Sequence, residues 1–528
     1  MAIFWSTNRY RQRPTRFAWD ESAAIRTVHE GFGIKRVPSE PRNLLRRFAD
    51  ELPRLRAATV QRASRDGALV GEESRRSGVQ RAARESEASA SARALARSAA
   101  LRILVCGGYG PFQNLGDEAI LRSVVRRLRR LGNVDLAVGM NDPSNFPGIQ
   151  GCSAVPSVGG YLLAGTSNRP IRLYGRLVRG ACWRIRYLIR ITTLCIFLVQ
   201  PRFARVLAQK GTLLAEVLRS FESSDAVLFV GGGYLNSYWV VSALLPSTLQ
   251  AMLARRLGIP VYLTGQGLGP FHSRWHLFLV KKLLQSARFA AVRDYGYSSR
   301  ELLANLQIPS EVIRFLPDDA HGLLESKPPL PSRREVIIGI NWRSEKDDVS
   351  AEEAGLVRLI AALARGRRLE VRFVPMLLGP GGDADCDGRI AEELRSVGIA
   401  SVLVNVGVSD IPRVLGECDL VVSTTFHLAL LALDMGIPAL GVVRNHYYDA
   451  KMRPLMSSYG FPEWAVPANR LTQDRARLLR LLSGMLADRE ALGDNLNRIS
   501  RGMSRALDEA YSDMLRDIAL VASCRQYA

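Results

Sequence analysis

The chain has 528 residues, 47% of them hydrophobic, and a formal net charge of +22. This length exceeds what one compact core usually supports, so the sequence predicts two domains with extensions. The seven cysteines are scattered, without a C-x-x-C pair or a Cys/His cluster at metal-ligand spacing, which argues against a metal site and for a reducing compartment. Residues 1–17 contain no apolar run of the signal-peptide kind, so we expect a cytoplasmic protein.

The positive charge is concentrated in two segments. Residues 1–100 have a net charge of +9 and residues 151–220 have +10, which leaves +3 for the rest of the chain. The first segment lacks strand patterning and is predicted to be a basic extension, disordered or loosely helical. Neither segment shows the interleaved aromatic residues of a nucleic-acid-binding module, so an anionic surface is favoured as partner over nucleic acid.

From residue 101 onward, short apolar strands alternate with helices. This alternation predicts parallel sheets covered on both faces and hence doubly wound, Rossmann-like domains. The boundaries that we predict are a first domain at 101–324 with a basic insertion at about 151–220, a proline-rich hinge at 325–333, a second domain at 334–470 and C-terminal helices at 471–528. Two such domains should face each other across a cleft.

The segment 169–199 has the pattern of a basic amphipathic helix. Its arginines recur at helical spacing, and its uninterrupted apolar run at 194–199 is far shorter than the roughly 20 residues that span a bilayer. One reading is attachment to an anionic membrane surface, which would place the protein at the inner face of the plasma membrane. The other is a surface helix whose apolar stripe packs on the core and whose arginines are solvated.

Three glycine-rich turns follow predicted strands of the first domain. The first leads through Asn114, Gly116 and Asp117 into a helix, and the others lie at 231–233 and 265–269. Because glycine allows close approach of the backbone and a helix N-terminus attracts anions, these turns predict a ligand site at one sheet edge. The spacing is not G-x-G-x-x-G, so a dinucleotide site is poorly supported.

Polar and charged side chains follow other strands at the same edges. Arg293 follows a strand of the first domain, and Asp318 lies just before the hinge; Arg343, His427 and the 444–451 cluster follow strands of the second domain. An arginine suits a carboxylate or phosphate, and a histidine at a strand-to-helix turn suits proton transfer. Each residue also has an ordinary structural role open to it, as a cap or as half of a salt bridge.

Six motifs occur in order over about 102–460 and are followed by a lysine: Y-G-x-x-x-N-L-G-D-E-A-I, L-F-V-G-G-G, G-Q-G-L-G-P, V-R-D, P-D-D and F-H-x-A-L-x-A-L-x-x-G-I-P. In this the chain resembles the polysaccharide pyruvyl transferase family. The resemblance implies a GT-B-like fold and transfer of pyruvate from phosphoenolpyruvate, as co-substrate without a further cofactor, to a sugar of a cell-surface polysaccharide or its lipid-linked precursor. The product would be a pyruvate ketal.

The resemblance also implies roles for individual residues. For the chemistry that it implies, we expect His427 to act as general acid, Asp117 as base or sugar-hydroxyl ligand, and Arg293 and Lys451 to hold the carboxylate and phosphate. The wider set that we predict adds Asp318 as a second catalytic carboxylate, and as binding residues Asn114, Gly116, Gly232, Gly233, Gln266, Arg343 and Arg444. The proposed chemistry requires no metal.

One position departs from the family pattern. Thr425 stands two residues before His427, where many members have arginine, so one cation of the expected phosphate site is missing. Arg343 or Arg444 is expected to substitute, or the donor differs. Two other interpretations therefore stay open, a GT-B-type glycosyltransferase that uses a nucleotide sugar and a catalytically degenerate scaffold tethered to a membrane.

Overall fold

The computed structural model describes residues 100–107, 113–164, 175–199, 211–293, 297–324, 335–343, 351–379 and 381–526. The predicted hinge at 325–333 lies outside the described residues, as does the basic extension up to residue 99. The part of 169–199 that precedes residue 175 also lies outside them.

The first domain is built on an eight-stranded sheet whose strand pairs are all parallel. Its strand order is β3-β2-β1-β4-β6-β7-β8, with β5 paired to β6. In chain order the elements are β1 (Leu101–Cys106), α1 (Leu115–Leu131), β2 (Val134–Met140), β3 (Cys152–Pro156), α2 (Val158–Leu163), α3 (Gly175–Val199), α4 (Leu213–Glu222), β4 (Ala226–Phe229), β5 (Gly232–Leu235), a π-helical turn (Val240–Leu244), α5 (Leu245–Arg256), β6 (Val261–Leu268), α6 (Arg274–Gln285), β7 (Ala287–Val292), α7 (Tyr297–Asn305) and β8 (Ile313–Phe315).

The second domain has a six-stranded parallel sheet in the order β11-β10-β9-β12-β13-β14. Numbered within the domain this is 3-2-1-4-5-6, the doubly wound Rossmann order. Its elements are β9 (Glu335–Asn341), α8 (Ala351–Leu363), β10 (Arg368–Phe373), α9 (Asp383–Ser396), β11 (Ala400–Leu403), α10 (Ile411–Gly416), β12 (Leu420–Ser423), α11 (Phe426–Asp434), β13 (Ala439–Val443), α12 (His446–Ser458) and β14 (Ala465–Pro467). The predicted α/β, GT-B-like architecture of two Rossmann-like domains around a cleft is confirmed.

Burial explains why these segments are strands. Every residue of β4 (sequence AVLF) and β13 (sequence ALGVV) is buried, because helices cover both faces of each sheet. Such strands read as continuous apolar runs rather than as alternating patterns. The predicted insertion at 151–220 is not wholly separate from the sheet, since β3 lies within it and pairs with β2 through five residue pairs.

The C-terminal helices α13 (Arg470–Gln473), α14 (Arg475–Ala487) and α15 (Arg489–Gln526) follow the second sheet. The long helix α15 packs on α11 of the second domain and on α1 of the first. Arg127 of α1 is almost fully buried and donates to Asp508 of α15 at 2.8 Å. The last helix therefore joins the two domains on the side of α1 and α11. No helix in the described part of the chain is both long and apolar enough to cross a membrane.

Candidate active site

The carboxyl ends of the strands from both domains border one cleft of about 460 Å³. Parallel strands that all point the same way bring their following turns to one edge, which explains why distant segments meet here. Residues that line the cleft include Asn114, Asp117, Asn141, Gly231, Gly233, Tyr234, Trp239, Ser242, Arg293, Arg343, Met376, Leu377, Thr425, Phe426, His427, Tyr447, Tyr448 and Lys451. Seven of the twelve predicted site residues are among them.

The two domains are joined at this edge by backbone hydrogen bonds. The amide of Leu115 donates to the carbonyl of Met376 at 2.9 Å, and the amide of Leu378 donates to Gln113 at 2.7 Å. Asn114, between them, forms an antiparallel bridge with Leu377. The start of α1 is thereby held against the turn after β10, and this places the first-domain motif in the cleft.

Arg293, which lines the cleft, forms a buried ion pair with Asp318. Their side chains are 3% and 2% exposed, and the guanidinium lies 4.4 Å from the centre of the Phe426 ring. Burial opposes ionisation of Asp318, but the Arg293 charge and a hydrogen bond from the Ala320 amide outweigh it and lower the pKa of this carboxyl. Asp318 does not line the main cleft but a small pocket that it shares with Arg293, where it holds the guanidinium in place; its catalytic role stays a prediction.

The neighbouring Asp319 organises two of the glycine turns. Its carboxylate accepts hydrogen bonds from the Gly231 amide at 2.8 Å, from Thr264 at 2.7 Å and from the Tyr511 hydroxyl at 2.9 Å. A Cβ on Gly231 or Gly265 would lie 2.7 Å from the same carboxylate oxygen. Both turns therefore require glycine in order to close over Asp319, whose pKa is raised by burial to about 6.

Lys451 of the second domain approaches Arg293 of the first across Gly233. A Cβ on Gly233 would lie 2.5 Å from Lys451 Nζ and 3.4 Å from Arg293 Nη2. Lys451 donates to the hydroxyl of Tyr447, one helical turn earlier on α12, and its ammonium lies 3.8 Å from the centre of that ring. Glycine at 233 thus leaves the space in which two cations from different domains converge.

Arg343 supplies a third cation, held by the N-terminal end of α9. Its guanidinium donates to both carboxylate oxygens of Asp383, at 2.8 and 3.2 Å, and its side chain keeps 25% exposure toward the cleft. Asp383 also accepts from Asn341 and from the Met376 and Leu377 amides, at 2.8–2.9 Å. One buried carboxylate therefore positions both the cation and the turn that contacts Asn114.

His427 is the second residue of α11 and contacts the first turn of α1. A Cβ on Gly116 would overlap its ring, at 2.5 Å from Cγ. Its Nε2 atom is buried and has no hydrogen-bond partner among the described residues. Burial, together with Arg293, Lys451 and Arg343, lowers the pKa of His427 to about 4 against the opposing effect of Asp318. The imidazole is therefore neutral at pH 7 in the ligand-free protein.

Asp117 faces the same space from α1. Asn114 caps the helix by accepting from the Gly116 amide at 3.0 Å, and its amide nitrogen donates to Asp117 at 3.1 Å. Burial raises the pKa of Asp117 to about 6, although Lys451 and the two cleft arginines act in the opposite direction. A carboxyl group with this pKa exchanges protons readily near neutral pH.

Four predicted binding residues are not part of the cleft lining: Gly116, which contacts the His427 ring, and Gly232, Gln266 and Arg444. Gln266 is fully buried and donates to the carbonyls of Phe229, Val230 and Thr264, so it supports the turns from beneath. Gly232 stands between two lining glycines. Arg444 donates to the Arg343 carbonyl and so supports that segment. A position in a glycine turn or after a strand does not determine which way a side chain points.

The sequence analysis included Tyr447 and Tyr448 only as members of the 444–451 cluster and missed the aromatic group that they form with Tyr238 and Trp239. Tyr447 packs edge-on against Tyr238 of the first domain, with ring centres 5.4 Å apart, and against Tyr448 at the same distance. Trp239 lines the cleft and is 53% exposed. These residues belong to α12 and to the segment after β5. The sequence signal available was the run of aromatic residues at 238–239 and 447–448.

Comparison with known proteins agrees with this arrangement of motifs. The family model described as polysaccharide pyruvyl transferase matches residues 114–446. No curated protein matches the chain in sequence.

Among solved structures, Anabaena HepE in complex with UDP and glucose has a TM-score of 0.44 at 11% identity, covering 81% of this chain and all of its own. The UDP-GlcNAc 2-epimerase of Neisseria meningitidis bound to UDP-GlcNAc has a TM-score of 0.45 at 13% identity, covering 77% of this chain and 99% of its own. The family match spans most of both Rossmann-like domains and all but one of the cleft segments described above. The chain belongs to the polysaccharide pyruvyl transferase family of enzymes.

Proposed function

We propose that this enzyme transfers pyruvate from phosphoenolpyruvate to two hydroxyls of a sugar in a cell-surface polysaccharide or its lipid-linked precursor, forming a pyruvate ketal. The observation that carries the proposal is the convergence of Arg293, Lys451 and Arg343 on one cleft that also contains Asp117 and His427. The family supports the reaction class, and the cations support a donor with both a carboxylate and a phosphate.

The donor side of the cleft follows from charge. Arg293 and Lys451 approach each other around Gly233, so an anion bound between them is attracted by both charges. Arg343 extends from the opposite domain into the same space. It stands in for the cation that is missing at Thr425, whose own hydroxyl is engaged with Ser423 at 3.1 Å.

The reaction needs one proton delivered and two removed. The C3 carbon of phosphoenolpyruvate takes a proton, one sugar hydroxyl bonds to C2, and the C2–O bond to phosphate breaks as the second hydroxyl bonds to C2. Of the two hydroxyl protons, one balances the proton on C3 and the other leaves with phosphate. We propose His427 as the acid that protonates C3 and Asp117 as the base that accepts a hydroxyl proton.

The low pKa of His427 is compatible with this role once the donor is bound. Three nearby cations contribute to the value of about 4 in the ligand-free protein. A bound donor brings several negative charges among these cations and so raises the pKa of the imidazole. Donor binding is therefore expected to be accompanied by uptake of a proton at His427.

The acceptor side is aromatic. Tyr448 and Trp239 line the cleft together with Tyr447, whose hydroxyl lies beside Lys451, and Asn141 and Ser242 add polar groups. Aromatic surface with a few placed polar groups is typical of sites that orient a small organic ligand. We propose that the acceptor sugar lies against these rings.

A product assay tests the proposal. The purified protein is incubated with phosphoenolpyruvate and surface glycan from the source organism, and phosphate release and acid-labile pyruvate on the glycan are measured. Equal release of phosphate and gain of pyruvate is expected, with a loss of about 10²–10⁴-fold in His427→Gln. Release of a nucleoside diphosphate from a nucleotide sugar, without reaction of phosphoenolpyruvate, would identify a glycosyltransferase instead.

A further inference from the structure

Exposed apolar side chains are concentrated on one part of the first domain. Of fourteen large hydrophobic side chains that are exposed in the described part of the chain, ten lie on α3, on α6 and on the segment 238–241 between β5 and α5. They are Ile185, Leu188, Ile189, Ile196, Val199, Tyr238, Trp239, Val241, Trp275 and Phe278. Clustering of this kind marks an interaction surface, whereas single exposed apolar residues do not.

Contacts join the three segments into one surface, which we call the rim. The hydroxyl of Tyr187 on α3 donates to the Val241 carbonyl at 2.9 Å. On the other side, Ser237 is hydrogen-bonded to His276 of α6 at 2.8 Å. Arg256, at the end of α5, donates to the Leu198 carbonyl near the end of α3 at 3.1 Å. The segment 237–241 is therefore flanked directly by both helices.

The rim borders the mouth of the cleft. Trp239 both lines the cleft and is 53% exposed, and its neighbour Tyr238 is 59% exposed while contacting Tyr447 of the second domain. Away from the cleft, Trp275 and Phe278 stack on α6 with ring centres 5.2 Å apart. A body that covers the rim would thus lie beside the acceptor end of the proposed active site.

The charge of the rim has one sign. The sequences of α3, of 237–256 and of α6 together contain ten arginines and lysines and no aspartate or glutamate. Arg186, Arg255, Arg256 and Arg274 are exposed. Lys282 lies 5.5 Å from the centre of the Phe278 ring, so cationic and aromatic groups are interleaved.

We propose that the rim docks on an anionic phospholipid membrane, with the apolar side chains at headgroup depth and the basic side chains against lipid phosphates. Aromatic, aliphatic and basic residues together are the composition of surfaces that bind at the membrane interface. A second copy of this chain is a poorer occupant, because a symmetric contact would bring the same positive surface against itself.

The position of the rim gives docking a consequence for the acceptor, and this part rests on the proposed function. The cleft mouth would open beside the lipid surface, within reach of a glycan carried on a membrane-embedded lipid. The docked enzyme would then meet its acceptor by diffusion within the membrane plane rather than from bulk solution. The proposal extends the predicted contact of 169–199 to two further elements and to the cleft mouth.

Vesicle co-sedimentation of the full chain without any substrate tests docking by itself. Vesicles of phosphatidylcholine alone and with about one-third phosphatidylglycerol are compared at low and high salt. We expect binding to the anionic vesicles that weakens with salt. The double variants Trp275→Gln/Phe278→Gln and Ile185→Gln/Ile189→Gln should each lower the partition coefficient at least about tenfold.

The matched control is Val397→Gln/Leu520→Gln, which removes two equally exposed apolar side chains outside the rim. It should bind vesicles like the wild type, and all variants should keep the wild-type melting temperature. Unchanged vesicle binding in both rim variants would overturn the proposal, as would a dimer in solution that the rim variants dissociate. Turnover of a soluble acceptor should be unchanged in Trp275→Gln/Phe278→Gln, so that failure of docking and failure of the proposed reaction are distinguishable.

Discussion

The ring of His427 lies directly against the α-carbon of Gly116, so that these two residues join the second domain to the first at the proposed reaction centre. Any side chain at 116 would occupy the position of the imidazole. The glycine of the N-L-G-D motif is therefore explained by the histidine more than 300 residues later rather than by backbone conformation.

The first prediction concerns this contact. Gly116→Ala should displace the His427 ring and lower kcat by at least about 10²-fold, since misplacement of a catalytic group by an ångström costs that much. Steady-state kinetics of ketal formation measures it. Gly502→Ala in α15 is the control, because a Cβ there meets no atom within 4 Å and should leave kcat unchanged. Full activity in Gly116→Ala would show that the ring position does not matter.

The second prediction concerns the buried ion pair. Asp318→Asn should destabilise the protein by about 3–5 kcal/mol, because it removes the carboxylate that compensates the buried Arg293 charge. Urea unfolding measures the change. Asp513→Asn removes an ion pair whose carboxylate is 67% exposed and should cost less than about 1 kcal/mol. If the two variants lose equally small amounts of unfolding free energy, another anion or solvent compensates the Arg293 charge.

The third prediction is the pH dependence of stability. The folded-state pKa of His427 is lowered to about 4, below its ordinary value of 6.5, so its contribution to stability is lost as the pH falls between these values. The folded-state pKa of Asp117 is raised to about 6 from 3.8, so its contribution is gained as the pH falls through about 6.

Mutation separates the contributions of His427 and Asp117, which change the unfolding free energy in opposite directions as the pH falls. Between pH 7 and pH 5, His427→Gln should lose less unfolding free energy than the wild type, and Asp117→Asn should lose more. Denaturant titration at the two pH values measures both. The same sign of change in the two variants would contradict the assigned environments.

The fourth prediction concerns the missing arginine. Arg343→Met should weaken phosphoenolpyruvate binding at least about tenfold, and Thr425→Arg introduced into that variant should restore part of the loss. Titration calorimetry gives the Kd for phosphoenolpyruvate of the wild type, of each single variant and of the double variant, and hence the coupling free energy between positions 343 and 425. Additive effects would show that Arg343 does not occupy the role of the missing cation.

The alternation of strands and helices was sufficient to predict two parallel sheets, because strands buried on two faces are readable as apolar runs, but it did not predict the strands β3, β5 and β14. The glycine turns and following charges likewise identified the sheet edges, and Asn114, Asp117, Arg293, His427 and Lys451 do meet there. Their convergence follows from parallel topology, which brings every carboxyl end to one side.

Side-chain direction was not readable in this way. Gln266 and Arg444 occupy expected turns but point into supporting networks, and Asp318 lies behind Arg293 rather than in the cleft. The pairing of Asn114 with Leu377 and the contact of Tyr238 with Tyr447 depend on how the two domains pack, for which a single sequence carries no periodic signal.

The measurement that tests the central claim most directly is thermal unfolding of the protein titrated with phosphoenolpyruvate, and in parallel with UDP- and GDP-sugars. A ligand that binds only the native state stabilises the folded protein by about 2.7 kcal/mol when its concentration is a hundredfold above Kd. We predict a rise in Tm with phosphoenolpyruvate that Lys451→Met abolishes and that Lys281→Met, a lysine change on α6 outside the cleft, leaves intact. A rise with a nucleotide sugar and none with phosphoenolpyruvate would contradict the account.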